Sequence, residues 1–153
     1  MTEQVEWIPD DVWEDIVEHM PIPSVDLLVV TDEGILLAKR QNEPAKGKWF
    51  VPGGRVQKGE LLREAVHRVA KKELGTDVVI KKELGAYDHR YETADVANSG
   101  GKHYVAHGYV VCPESEIGDL DEQHSEAKYF DFNMLPPLHP NVAIYFDDAE
   151  FET

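Results

Sequence analysis

The 153-residue chain is poor in cysteine, in long apolar runs and in basic residues, and each scarcity excludes a class of protein. Its single cysteine, Cys112, cannot form a disulfide within the chain and stands in an apolar stretch typical of a buried strand. A thiol without a partner fits a reducing cytoplasm, where we expect the protein to reside. No run of 18 apolar residues occurs, so no membrane span is expected. The acidic segment 1–9 does not resemble a secretory leader.

Positive charge is especially scarce. Fifteen Lys and Arg residues face 30 Asp and Glu residues, which gives a formal net charge of -15. This balance argues against a nucleic-acid partner bound through a basic surface. Such an acidic surface is typical of a halophilic protein from a high-salt cytoplasm, although an ordinary acidic protein can have the same composition. An anionic substrate would need local positive charge from a metal ion and arginines, because the global field repels it.

Length and a hydrophobic content of 42% predict a single globular domain spanning residues 1–153. An N-terminal amphipathic helix is predicted at about residues 10–20, and Pro21 ends it. Polar loops are expected at 41–48, 94–102 and 119–125. Between them the periodicity predicts helices at 61–74 and from 140 onward, and strands at 24–30, 35–39, 49–51, 78–87, 103–112 and 127–132. This order predicts an α/β (α+β) fold, a mixed β-sheet sandwiched between helices.

One segment combines glycines, carboxylates and arginine at set spacings. Gly53 and Gly54 follow a predicted strand and precede a predicted helix. A glycine pair alone is a weak signal, because turns use it often. The whole segment, however, resembles the Nudix box: Gly, five residues, Glu, seven residues, Arg-Glu, an apolar residue, any residue, Glu-Glu, any residue, Gly. The chain supplies this pattern at Gly54, Glu60, Arg68, Glu73 and Gly75.

The box departs from the Nudix pattern at two positions, where Val69 and Lys72 replace glutamates. Positions 69, 72 and 73 lie on one face of a helix, where three glutamates would form an oxygen cage for two or more divalent ions. Because only Glu73 remains, we expect one Mg2+, for which Mn2+ can substitute. The alternative is a decayed box in a non-catalytic protein that binds a nucleotide sugar.

A closer resemblance involves residues 49–58, Arg68, 73–75 and 121–124. These segments are similar to GDP-mannose mannosyl hydrolase, a Nudix subfamily with the same two losses in its box, and the similarity extends from about Ser24 onward. It implies Mg2+-dependent hydrolysis of GDP-mannose or a related GDP-hexose to a nucleoside diphosphate and free sugar, by attack at the anomeric carbon. The alternative reaction is that of a Nudix pyrophosphohydrolase, which attacks phosphorus in another nucleoside diphosphate derivative.

The resemblance also assigns a general base and metal ligands. The base is His124, in a polar loop, and an imidazole that titrates near neutral pH suits that role. The metal ligands are the carbonyl of Gly53, with Glu73 and Gln123. The resemblance further implies a homodimer, for which Trp13, Ile16 and Val17 on the first helix offer an apolar face, unless that face covers the protein's own core.

The remaining predicted site residues contact substrate. Arg40 and Arg55 are expected to bind the diphosphate, because guanidinium groups match phosphate oxygens. By resemblance Asp26 lies in the sugar site, although a structural hydrogen-bonding aspartate is nearly as good an interpretation, and a buried Asp26 should be paired. His89 and Tyr104 match substrate-contacting positions. With His124, the predicted catalytic set is Asp26, Arg40 and Arg55. Arg68 is expected instead to orient a carboxylate such as Glu60.

Overall fold

The computed structural model describes residues 8–40, 46–92, 101–117 and 124–148, without the side chains of residues 124–126 and 148. Along these ranges lie α1 (Asp10–His19), β1 (Ile22–Thr31), β2 (Gly34–Arg40), β3 (Trp49–Phe50), β4 (Gly53–Arg55), α2 (Leu62–Leu74), β5 (Val78–Tyr91), β6 (Lys102–Pro113), β7 (His124–Phe130) and α3 (Pro140–Asp148). None of the helices in these ranges is long and apolar enough to cross a bilayer.

The strands form one mixed sheet with the order β3-β2-β1-β6-β5, in which β4 also pairs with β1 and β7 with β2. β1 and β6 run parallel, whereas the other pairs are antiparallel. The predicted mixed sheet is therefore confirmed. The parallel pair at the centre matters for the site, because it places residues 22–29 directly beside residues 104–111.

The two faces of the sheet bury different cores. Val25, Leu27 and Val29 of β1 belong to a cluster with the apolar face of α2. Leu28 belongs to a second cluster, which includes Tyr145 of α3. Successive strand residues point to opposite faces, so the sheet lies between α2 and α3, as the sequence predicts. By the same alternation, Asp26 shares the α3 face with Leu28.

Helix α1 packs on the chain's own sheet. Val17 is buried, and Trp13 and Ile16 are half-buried. The Lys102 ammonium of β6 lies 5.0 Å from the centre of the Trp13 ring, a cation–π distance. Of the two interpretations of this apolar face, covering the protein's own sheet is the one that the structure shows.

Three strands differ from the sequence-based expectation. Residues 53–55 were not expected to form a strand but pair with residues 24–26 of β1. β5 continues to Tyr91 because it keeps its ladder with β6 to Lys102. β7 begins at His124 rather than at residue 127, because its pairing with β2 extends to Arg40. In each case hydrogen bonding to a neighbouring strand outweighs the local composition. Of the loops expected at 41–48, 94–102 and 119–125, residues 41–45, 94–100 and 119–123 fall outside the described residues.

Candidate active site

An open cleft of about 600 Å³, a volume that includes space open to solvent, lies at the sheet face that α3 covers. Six of the predicted site residues line it: Asp26, Arg40, Gly53, Arg55, His89 and Tyr104. Ser24, Phe50, Val51, Gly54 and Tyr91 complete the lining.

Sheet register explains why residues so distant in sequence meet at this cavity. Asp26 is paired with Gly53 in the antiparallel β1–β4 ladder. Tyr104 is paired with Ile22 in β1 and with His89 in β5. Side chains two residues apart share a face, so Ser24 and Asp26 stand beside the His89–Tyr104 pair on one surface.

Asp26 is the carboxylate of the cavity, and it is paired as expected for a buried acid. The Tyr145 hydroxyl donates a hydrogen bond of 2.6 Å to Asp26 Oδ2, and His89 Nδ1 lies 3.6 Å from the same oxygen. Burial raises the pKa of Asp26 to about 6, against the opposing effects of the Tyr145 hydrogen bond and the Arg40 charge. The side chain stays 20% exposed, so a ligand in the cavity can reach it.

His89 is neutral at physiological pH. Burial lowers the pKa of its ring to about 4, assisted by His139 and opposed by Asp88. A neutral imidazole has one donor and one acceptor nitrogen. Its Nε2 is buried and has no hydrogen-bond partner among the described residues, which suits a contact with a bound ligand.

The two arginines of the cavity rest on aromatic rings. The Arg40 guanidinium lies 5.9 Å from the centre of the Phe50 ring, and that of Arg55 lies 5.9 Å from the Trp13 ring. Sequence reasoning missed Phe50 and Tyr91 as cavity residues. The aromatic alternation at positions 87, 89 and 91 is the signal that could have placed Tyr91 on this face.

Arg68 holds the loop before α2, as expected. Its Nε donates to Glu60 Oε2 at 2.7 Å, and Nη2 donates to Glu60 Oε1 at 3.0 Å and to the Arg55 carbonyl at 2.8 Å. The Gln57 amide also donates to Glu60 Oε1. Burial alone would raise the pKa of Glu60, but these hydrogen bonds and the charges of Arg68 and Arg55 outweigh it and lower that pKa. Among the described residues Arg68 is not part of the cavity lining.

The residues described fit a hard divalent cation on the α2 side of β4. The β1–β4 ladder is flanked by two backbone hydrogen bonds, which Leu27 N donates to Pro52 O and Val56 N donates to Pro23 O. Antiparallel hydrogen-bonded pairs alternate, so the carbonyls of residues 53 and 55 point away from β1. That of Arg55 meets Arg68 of α2, and the carbonyl of residue 53 is on the same edge.

Helix α2 packs against β4 and carries Glu73 in its last turn. Arg68 contacts Arg55, and Val69 Cγ2 lies 3.1 Å from the point where a Cβ of Gly54 would stand. Glu73 is only 4% exposed. A buried carboxylate on α2 and an outward-facing carbonyl on β4 are oxygen donors of the kind that Mg2+ prefers.

The last two predicted residues are only partly covered by the structure. Gln123 lies outside the described residues, and of His124 only the backbone is described. The expectation that His124 lies in a loop is wrong, because it is the first residue of β7 and pairs with Arg40. A register irregularity between Lys39 and Arg40 accompanies this pairing. It places the His124 backbone next to a residue that lines the cavity.

Comparison with known proteins agrees with this geometry. A family model of the NUDIX domain matches residues 20–148. The low-salt glycan biosynthesis protein Agl8 of Haloferax volcanii is 48% identical over 143 residues, 92% of this chain and 89% of the relative. An ADP-ribose pyrophosphatase of Methanocaldococcus jannaschii is 37% identical over 121 residues, 77% of this chain and 66% of the relative.

Solved structures show the same fold. The crystal structure of a MutT NUDIX hydrolase from Burkholderia pseudomallei superposes with a TM-score of 0.70 at 28% identity, and covers 86% of this chain and 100% of that one. The sheet between helices, the box before α2 and these similarities lead to one conclusion. The chain belongs to the Nudix hydrolases, enzymes that act on nucleotide derivatives and generally use a divalent metal ion, typically Mg2+.

Proposed function

We propose that this enzyme hydrolyses a nucleotide sugar, GDP-mannose or a related GDP-hexose, to a nucleoside diphosphate and free sugar by attack of water at the anomeric carbon. The observation that carries the proposal is the burial of Val69, which is 2% exposed within the α2 core cluster. Lys72 is exposed, so this face of the box offers Glu73 alone as a carboxylate. Attack on phosphorus is helped by several metal ions around the phosphoryl group, and one carboxylate is a poor basis for that arrangement.

The relative from Haloferax volcanii supports the substrate class. Its name assigns it to glycan biosynthesis, a process whose activated building blocks are sugars linked to phosphates. The identity of 48% extends over 92% of this chain. A nucleotide sugar is therefore a reasonable substrate class for the present enzyme too.

In this proposal Arg40 and Arg55 bind the diphosphate. Both line the cavity, and guanidinium groups match phosphate oxygens in bidentate fashion. They provide the local positive charge that an anionic substrate needs on a protein of net charge -15. One Mg2+, held by Glu73, the Gly53 carbonyl and Gln123, would neutralise negative charge on the departing diphosphate.

The sugar lies between the diphosphate site and the general base. Asp26 and His89 hydrogen-bond its hydroxyl groups, and Tyr104 contacts the adjoining part of the substrate. His124 accepts a proton from water as the water oxygen bonds to the anomeric carbon. The bond from that carbon to the diphosphate oxygen breaks, and its electron pair leaves with the nucleoside diphosphate. The transition state has oxocarbenium character, as in other glycosyl hydrolyses.

The decisive experiment is hydrolysis of GDP-mannose with Mg2+ in oxygen-18 water, with mass analysis of both products. We expect the label in mannose and unlabelled GDP. The variant His124→Ala should lower kcat about 100-fold or more, as loss of a general base does. The control His19→Ala alters a side chain at the exposed end of α1, 68% accessible, and should leave kcat within about twofold.

The competing function is a pyrophosphohydrolase, favoured by the 37% identical ADP-ribose pyrophosphatase. It requires the label in a phosphate-bearing product, and that result would contradict attack at carbon. Tight nucleotide binding without turnover across a panel of nucleotide sugars would instead favour a non-catalytic binding protein.

We also propose the domain organisation, the cellular compartment and the oligomeric state. We infer a single domain over residues 1–153, supported by the contact of α1 with the sheet through Trp13 and Lys102. The net charge of -15 supports a halophilic, cytoplasmic protein without a nucleic-acid partner. A homodimer rests on the family resemblance, and light scattering of the purified protein tests it.

A further inference from the structure

The carboxylate of the cavity is held by a tyrosine from the last helix. Tyr145 of α3 is fully buried, and its hydroxyl donates to Asp26 Oδ2 at 2.6 Å. The other carboxylate oxygen, Oδ1, lies beside Gly53, where a Cβ would stand 2.5 Å from it. Gly53 also lines the cavity. One oxygen of Asp26 is therefore engaged inside the protein and the other lies at the cavity wall.

The sheet leaves a space shaped for this tyrosine ring. Gly108 of β6 pairs with Asp26 in the parallel register. A Cβ at Gly108 would stand 2.5 Å from Tyr145 Cε1 and 3.1 Å from Cδ1, so a side chain there would displace the ring. Tyr87 and His89 pack edge-on at centroid distances of 4.8 and 5.4 Å. The ring is thus fixed on three sides, and its hydroxyl reaches Asp26 in one orientation.

The direction of this hydrogen bond is also fixed. Burial and the Asp26 charge raise the pKa of Tyr145 far above its ordinary value, so the hydroxyl keeps its proton at every physiological pH. A hydroxyl beside a carboxylate then acts as the donor. While Asp26 is ionised, its Oδ2 therefore accepts a hydrogen bond from the Tyr145 hydroxyl.

We propose that Tyr145 is a positioning residue, which engages Asp26 Oδ2 from within the protein and thereby directs Oδ1 to the substrate. The inference deepens the proposed function, and it depends on that function for the identity of the substrate. A tyrosine within a C-terminal helix has no sequence signature of such a role, since tyrosines there usually serve as core residues. The contact joins positions 119 residues apart.

The test is a double-mutant cycle with Tyr145→Phe, Asp26→Asn and the double variant, measured as kcat and KM for GDP-mannose and as Kd for GDP. Tyr145→Phe keeps the ring and removes the hydroxyl. We expect its kcat to fall about tenfold, the effect of losing one hydrogen bond to a charged group. Its KM and its Kd for GDP should stay within about twofold of wild type, because the diphosphate site is unchanged. In the Asp26→Asn background the same change should lower kcat less than about twofold.

The matched control is Tyr129→Phe. It removes a tyrosine hydroxyl that bonds Thr31 on β1, and Tyr129 does not belong to the described lining of the cavity. Its kcat should remain within about twofold of wild type, whatever the change in melting temperature. Unchanged kcat in Tyr145→Phe would overturn the proposal. So would a rise in the Kd for GDP as large as the fall in kcat, or full additivity with Asp26→Asn, because each of these indicates a merely structural role.

The wild-type enzyme alone decides the proposed function, before any variant is made. If it hydrolyses a different nucleotide derivative, the proposed substrate is wrong and the cycle is measured with that compound, with the same expected coupling. If it hydrolyses none of a panel of nucleotide derivatives, both proposals are contradicted. Turnover by wild type with no coupling between Tyr145 and Asp26 contradicts the positioning role only.

Discussion

A largely buried ion pair fixes the loop that follows Arg55, and its strength can be measured against an exposed pair in the same chain. The Arg68 and Glu60 side chains are 10% and 12% exposed and meet at 2.7 and 3.0 Å. Arg68→Lys cannot form all three hydrogen bonds and leaves part of Glu60 unpaired. We expect it to lower the free energy of unfolding by about 2 kcal/mol, measured by urea denaturation.

The control is Arg63→Lys. Arg63 meets Glu83 at 3.2 Å, but both side chains are 56% exposed, and exposed pairs contribute little. The expected change is under about 0.5 kcal/mol. Equal losses of unfolding free energy in the two variants would show that neither burial nor the paired hydrogen bonds to Glu60 make the Arg68–Glu60 pair stronger. Arg68→Lys should also reduce kcat/KM, because the Arg55 carbonyl loses its donor.

At the scale of an element, the two altered positions of the Nudix box differ in how they pack on α2. Val69 lies in the core cluster and its methyl group fills the space beside Gly54, whereas Lys72 is exposed. Restoring the family glutamate by Val69→Glu places a carboxylate among apolar groups. Measured by urea denaturation in EDTA, this variant should lose about 3 kcal/mol of unfolding free energy.

The companion variant Lys72→Glu restores the second glutamate on the exposed side of the same helix. Its unfolding free energy should stay within about 0.5 kcal/mol of wild type. If Val69→Glu proved as stable as Lys72→Glu, position 69 would have room for a carboxylate. The main structural support for attack at carbon would then be lost.

Elements with strong periodicity could be predicted from the sequence, and elements held by distant partners could not. α1 and α2 follow from amphipathic spacing and from stop signals such as Gly75, which has the left-handed φ of 74° that favours glycine. β4 was missed because Gly53 and Gly54 have no β propensity of their own. It is a strand only because β1 lies beside it.

The residues of the candidate site also divide into those that the sequence predicts and those that it does not. The Arg68–Glu60 pair joins residues eight apart within one motif, so spacing alone could predict it. The family pattern brought Asp26, Arg40 and His89 into the candidate site, and the sheet register explains how they meet. Tyr145 could not be predicted, because its role depends on the space left by Gly108 and on a contact across the sheet.

At the scale of the whole molecule, charge is unevenly distributed between the surface and the cavity. The chain has a net charge of -15, while Arg40 and Arg55 line the cavity and Lys102 lies 5.1 Å from the Tyr104 ring beside it. The site is thus locally positive on a negative molecule. Repulsion among exposed carboxylates opposes folding at low ionic strength and is screened as salt is added.

This repulsion predicts that stability rises with salt. Between about 0.05 and 1 M KCl the Debye length falls from more than 10 Å to about 3 Å, and we expect the melting temperature to rise by about 5–10 °C.

The exposed carboxylates of Asp15 and Glu18 lie near each other at the C-terminal half of α1, where the helix dipole also disfavours them. The double variant Asp15→Asn, Glu18→Gln should therefore melt higher than wild type at low salt and show a smaller rise with KCl. Chloride is preferred to sulfate, which stabilises proteins by exclusion from their surface whatever their charge. A melting temperature independent of KCl, or a double variant with the full wild-type salt response, would show that carboxylate repulsion does not limit the stability of this protein.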